Sequence, residues 1–286
     1  MKVSGMILAL LVSTNILASA PKVIYGDDDR LELYNTTDSL HYELANSTAA
    51  MISNSSLETS ADGETVNISG TPLVERGICS SERFSKQTAA ANCSGFLVAP
   101  DLIVTAGHCV RSNRGCNRNK WVFDYALFAP GHNPNEVSSS SVYSCKEIVE
   151  RSMSGSDDYA LIRLEKDVED RRPLTVRKTD KVSLGTELVV IGHPTGLPAK
   201  VANGAIVREN DHPVYFASNL DTYGGNSGSA VFDAETGVVE GILVRGETDY
   251  VYDRDQRCRV SNNCDDDGCR GEDVTRITNI QALMDL

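Results

Sequence analysis

From about Arg76 to the end of the chain, apolar positions fall in short runs of Val, Ile, Leu, Phe and Tyr, bounded by Gly, Pro, Asn and Asp. The runs are residues 96–99, 102–106, 121–127, 159–164, 188–192, 214–217, 229–232 and 238–244. Each has the length of a strand and the punctuation of one, which predicts an all-β sandwich or pair of barrels. The last two runs are joined by Asp233-Ala234-Glu235-Thr236-Gly237, a short connection with glycine at its end, as in a hairpin. No long period of 3.6 precedes the final residues. There Ile277, Ile280 and Leu283-Met284 fall at helical spacing, predicting a short C-terminal helix over 274–286.

Upstream the texture differs. Residues 21–70 are polar, with Asp27-Asp28-Asp29 and many Ser, Thr and Asn. Residues 21–75 are therefore expected to be a propeptide or an N-terminal arm, and residues 76–286 a single domain without internal repeats or linkers. Residues 1–20 carry Lys2, an apolar run over 6–12 and Ala18-Ser19-Ala20, the layout of a cleaved secretory signal peptide. The run is far short of the roughly 20 residues that span a bilayer. A secreted or periplasmic protein, free of the membrane once the signal is removed, is expected.

Composition narrows the partners. With 27 Lys+Arg against 40 Asp+Glu the net charge is −13, and no Lys/Arg run occurs, which argues against nucleic-acid binding. The 286 residues, 41% of them hydrophobic, suffice for a folded core. Eight cysteines in an exported chain read as up to four disulfides with many possible pairings. Zinc is not expected: Cys264 and Cys269 lack a CxxC spacing or a matching pair of histidines, and the intervening Asp265-Asp266-Asp267 reads as a disulfide-closed turn.

Three stretches carry chemistry: Thr105-Ala106-Gly107-His108-Cys109, Asp157-Asp158-Tyr159-Ala160-Leu161, and Asp221-Thr222-Tyr223-Gly224-Gly225-Asn226-Ser227-Gly228-Ser229. A serine hydroxyl is a poor nucleophile until an imidazole accepts its proton. The imidazole needs a carboxylate on its other nitrogen, and glycines beside the serine let backbone N–H groups face an oxyanion. All three requirements can be met here, in the order His, Asp, Ser.

In these motifs and their order, over about residues 93–246, the chain resembles the chymotrypsin-like (trypsin-like) serine proteases. The Gly-Gly-Asn-Ser-Gly-Ser form is similar to the glutamyl-endopeptidase branch, whereas animal trypsins carry Asp before the serine. The resemblance implies two antiparallel six-stranded β-barrels with the site between them. It also implies a secreted, monomeric endopeptidase that acts on protein or peptide substrates without a cofactor or metal. Carried over by position, His108 matches the general base, Asp158 the orienting carboxylate and Ser227 the nucleophile. The amides of Gly225 and Ser227 match the oxyanion donors, and Cys93 and Cys109 match the disulfide beside the histidine. Asp157 is the rival carboxylate and Ser229 the rival hydroxyl. His193, in Ile191-Gly192-His193-Pro194, reads as a structural strand-end residue.

The substrate strand would pair with Val244-Arg245-Gly246, which match the strand beside the specificity pocket. Asp221 matches the place where trypsins keep the aspartate that binds Lys or Arg, and Thr222 agrees with the glutamyl branch. Two opposite preferences follow, basic through Asp221 and acidic through Arg245. The sequence departs from the pattern at Leu243, where the glutamyl branch has a histidine, and at Val244, where trypsins have a serine. It departs again at Asn226, which cannot form the activation ion pair of trypsins, although Arg76-Gly77-Ile78 resembles a basic activation cut. A non-catalytic homologue acting as a secreted binding module is the alternative. An α/β-hydrolase is disfavoured, because Ser229 stands where its Gly-x-Ser-x-Gly elbow needs glycine.

Overall fold

The computed structural model describes residues 24–286, so the signal-peptide expectation for residues 1–20 lies outside the described residues. Strands β1 (Thr48–Ser53), β2 (Ala91–Ala99), β3 (Leu102–Thr105), β4 (Asn119–Val122), β5 (Val142–Ser152) and β6 (Tyr159–Leu164) form a closed antiparallel barrel. Its order is β4-β5-β6-β3-β2-β1, and β1 closes it by pairing with both β2 and β4. Strands β7 (Glu187–Gly192), β8 (Lys200–Glu209), β9 (Tyr215–Ser218), β10 (Ala230–Asp233), β11 (Val239–Arg245) and β12 (Glu272–Arg276) form a second ring. Its order is β7-β10-β11-β12-β9-β8, closed by the pairing of β7 with β8. This is the expected all-β class with two six-stranded antiparallel barrels.

The unbroken apolar runs have a packing reason. In β7, Leu188 and Val190 fill the second barrel while Val189 and Ile191 pack in the core between the barrels. In β10, Val231 points inward and Phe232 toward the other barrel; in β6, Ile162 and Leu161 divide likewise. A strand buried on both faces loses the polar alternation of a half-exposed one. The interior of the first barrel is organised around the single tryptophan, Trp121, which is 1% exposed.

Two expectations are corrected. The run 121–127 is strand only to Val122, because the chain turns out at Asp124, whose φ of +64° is left-handed. The side chain of Asp124 holds that turn by pairing with Arg171 and accepting from Ser141. At the C-terminus, residues 274–276 belong to β12, where Val274 pairs with Phe216 and Leu243 across the sheet. The helix is confined to Gln281–Met284, although Ile277, Ile280 and Leu283 are all buried in the inter-barrel core. Residues ahead of Arg76 contribute strands to both sheets. β1 is part of the first barrel, and the strand Arg30–Glu32 extends the second sheet along β8.

His193 follows the end of β7 and is 1% exposed. Its Nδ1 lies 2.9 Å from the Leu197 carbonyl, and its ring stacks on Tyr125. Burial lowers its pKa to about 4. A folded-state pKa below the unfolded one means stability that is present above pH 6.5 and lost as pH falls toward 4. The loss should approach about 3 kcal/mol. Urea unfolding of wild type and His193→Gln at pH 7 and pH 4 should show the variant losing less on acidification; equal losses would refute the assignment.

Candidate active site

The register of the first barrel brings the histidine and the aspartate together. β6 runs antiparallel to β3, with Ala160 opposite Thr105, so the residue before β6 meets the turn that follows β3. His108 Nδ1 lies 2.8 Å from Asp158 Oδ2, and the His108 backbone N–H donates to Asp158 Oδ1 at 3.0 Å. Asp158 is 5% exposed, whereas the His108 side chain is 28% exposed. An ionised carboxylate only accepts, so the imidazole proton sits on Nδ1 and the outward Nε2 keeps its lone pair. The rival Asp157 is engaged elsewhere, accepting from the Asn279 amide at 3.3 Å. A disulfide joins Cys93 in β2 to Cys109, pinning the turn that carries His108. The remaining pairs are Cys79–Cys258, Cys116–Cys145 and Cys264–Cys269.

Ser227 sits on a tight loop between Tyr223 and β10. The Asn226 N–H donates to Tyr223 O and the Ser229 N–H to Asn226 O, while Gly228 N–H reaches Leu243 O on β11. The Ser94 N–H of β2 donates to the Ser227 carbonyl at 2.8 Å, which anchors the serine to the first barrel. Gly228 is obligatory: at φ +89° a Cβ would stand 2.2 Å from both Ser94 O and Thr105 Oγ1. Gly225, at φ +101°, would drive a Cβ to 2.5 Å from the His193 carbonyl.

The outcome is a half-exposed Ser227, beside which the amides of Gly225 and Ser227 donate no hydrogen bond among the described residues. Ser227 Oγ is not bonded to the imidazole either. In resting enzymes such contacts are often long and tighten when substrate binds. Ser229, the rival hydroxyl, is fully buried and donates to Asn226 Oδ1.

Next to Ser227 lies a cleft of about 120 Å³ lined by Thr222, Tyr223, Gly224, Leu243, Val244, Arg245, Gly246, Glu247, Asp249 and Glu272. Thr222, Val244, Arg245 and Gly246 thus line the cleft that holds Ser227, and Asp221 does not. The Asp221 carboxylate turns away from the cleft, accepting the backbone N–H of Tyr25 at 2.8 Å and of Asp29 at 3.0 Å. Burial pushes its pKa up to about 7. It holds the segment ahead of the first barrel against the serine loop. Arg245 also points out of the cleft, with Nε on Asp273 and Nη2 on the Ser156 carbonyl.

Sequence reasoning missed Glu272 and Asp249. They lie downstream of Ser227 outside the three motifs, and only the closure of β12 onto β11 brings Glu272 under Gly246. Among the described residues one grouping has metal-ligand proximity, Cys93, His108 and Cys109. Its two sulfurs are joined to each other, so it offers no thiolates.

Double barrel, inter-barrel cleft and His–Asp pair facing a serine loop define the chymotrypsin-like class of fold. Residues 93–242 match the trypsin-like peptidase domain, just over half the chain, and the chain belongs to that family. It is 26% identical over 153 residues to a glutamyl endopeptidase of Bacillus licheniformis, covering 51% of this chain and 46% of that protein. The chain thus spans about half the length of that curated relative. Among solved structures, a Glu endopeptidase in complex with MPD superposes with a TM-score of 0.53 at 16% identity, covering 92% of this chain and 96% of that one. Human heparin binding protein superposes with a TM-score of 0.54 at 12% identity, covering 91% and 95%. At such identities the likeness is one of fold.

Proposed function

We propose that this chain is a secreted serine endopeptidase in which His108, Asp158 and Ser227 act as one unit. The observation that supports it most directly is the double hydrogen bond of His108 to buried Asp158, opposite a serine loop with two undonated amides. Ser227 Oγ attacks the scissile carbonyl carbon while its proton passes to His108 Nε2. The oxygen that gains charge is held by the N–H groups of Gly225 and Ser227. The imidazolium then gives its proton to the departing amine, leaving an acyl-enzyme, and His108 deprotonates the water that releases it. Every group needed is on the chain, so no cofactor enters.

Fold alone does not supply activity, and a protein named for heparin binding shares this one. Digestion of a peptide library, read by mass spectrometry beside a Ser227→Ala control, tests the proposal. Cuts absent from the control support it; no cuts from folded protein would favour the binding-module reading.

Export is supported by the four disulfides, which persist in an oxidising compartment. We further propose that the mature protein keeps the segment from Thr48 onward, which forms β1. A chain that begins at Arg76 lacks β1 and leaves β2 and β4 as open edges. It should show no cooperative thermal unfolding, and N-terminal sequencing of the secreted protein should find a start before Thr48. A cooperatively folded chain from Arg76, or a secreted start beyond Ser53, would overturn this.

A further inference from the structure

We propose that Glu272 is the residue that selects the substrate side chain entering the cleft beside Ser227, and that it selects a cation, so that cleavage follows Lys or Arg. The inference rests on the endopeptidase reading of Ser227.

Glu272 stands at the start of β12 and is 3% exposed, yet its carboxylate lines the cleft that holds the nucleophile. It comes so close to Gly246 that a Cβ there would lie 1.8 Å from Oε2. Oε2 accepts from Thr222 Oγ1 at 2.6 Å, and Oε1 from the Glu247 N–H at 3.2 Å and from the Tyr25 hydroxyl at 3.5 Å. These donors fix the carboxylate without neutralising it, and among the described residues it has no ion-pair partner. A buried carboxylate is normally paired with a cation. Here the open side of the group faces the cleft, and burial pushes its pKa up to about 8, so that a cation entering the cleft is what would hold it ionised at neutral pH.

The rest of the lining agrees in sign. Asp249 accepts the Gly224 N–H at 2.9 Å and has no ion-pair partner among the described residues, and Glu247 adds a third carboxylate. Arg245 is the one basic residue of the lining, and its guanidinium is drawn away by Asp273 and Ser156. An acidic substrate side chain would therefore meet three carboxylates, whereas a lysine or arginine head group would supply the partner that Glu272 lacks. The small volume of the cleft suits a long, slender chain with its charge at the tip.

The test uses the full secreted protein, wild type and Glu272→Gln, on a peptide library, with Ser227→Ala as blank and a fluorophosphonate to report a reactive serine. Wild type should cut after Lys and Arg. In Glu272→Gln the kcat/KM ratio of Lys/Arg to Leu/Ala sites should fall about thirtyfold or more, the scale for removing one partner of a buried charge pair. Benzamidine, a small cation, should slow fluorophosphonate labelling of wild type, and this arm stands even if the variant fails to fold. Labelled wild type that cuts after Glu or uncharged residues, an unchanged ratio in the variant, or labelling indifferent to benzamidine would overturn the inference and leave the endopeptidase reading intact. Absence of Ser227-dependent labelling and cleavage would instead remove that reading, and this inference with it.

Discussion

Replacing Ser227 by alanine is expected to lower kcat by about a million-fold, to the residual rate that backbone amides and substrate binding sustain on their own. The loss is that large because no other hydroxyl can substitute. Ser229 lies beyond the left-handed Gly228, is fully buried, and is held against Asn226. The change removes one oxygen from a half-exposed side chain, so the loop should keep its shape. The Ser227 carbonyl still accepts from Ser94, and Gly228 still reaches Leu243. Steady-state kinetics on a good peptide substrate would measure the loss, with a thermal melt matching wild type to show that the fold survives. Turnover within a hundredfold of wild type would mean that the nucleophile lies elsewhere.

The fold class and the motifs of the candidate site were legible in the sequence, whereas many of the individual strands were not. His108, Asp158 and Ser227 sit in short contiguous motifs because each is held by local geometry: a turn after β3, the residue before β6, and a loop whose glycines are compelled by close backbone contacts. Strands buried on both faces, such as β6, β7 and β11, announce themselves as apolar runs. Strands that carry polar positions do not. β5 exposes much of its length, β8 interleaves Lys200, Asn203 and Arg208 with its apolar residues, and β1 is built of Thr, Ala, Met, Ile and Ser. β12 contains Glu272, Asp273, Thr275 and Arg276, all buried; Glu272 meets Thr222, Asp273 meets Arg245 and Arg276 meets Asn210, distant residues that no local pattern reveals. The same holds for Asp221. Its position relative to Ser227 suggested a pocket floor, yet its carboxylate is taken by the amides of Tyr25 and Asp29. That contact depends on where the chain ahead of the first barrel docks, a long-range fact.

Replacing Asp158 by asparagine is expected to lower kcat by about ten-thousandfold while sparing the architecture of the site. Asparagine keeps the shape of the side chain and one oxygen, which can still accept the His108 backbone N–H now bonded to Oδ1. Its other terminus becomes an NH₂ group facing His108 Nδ1, the atom now 2.8 Å from Oδ2. A donor there favours the imidazole with its proton on Nε2, which leaves no lone pair to take the proton of Ser227. The imidazolium formed during attack also loses its buried counter-charge. The loss should thus fall on kcat, with KM changed only severalfold, because the cleft of Glu272 and Val244 is untouched. NMR of the ring nitrogens would report the tautomer directly, with Nδ1 protonated in wild type and Nε2 in the variant. A variant retaining a tenth or more of wild-type kcat would show that another group orients the imidazole. Asp157 is a poor substitute, since its carboxylate accepts from the Asn279 amide and makes no bond to His108.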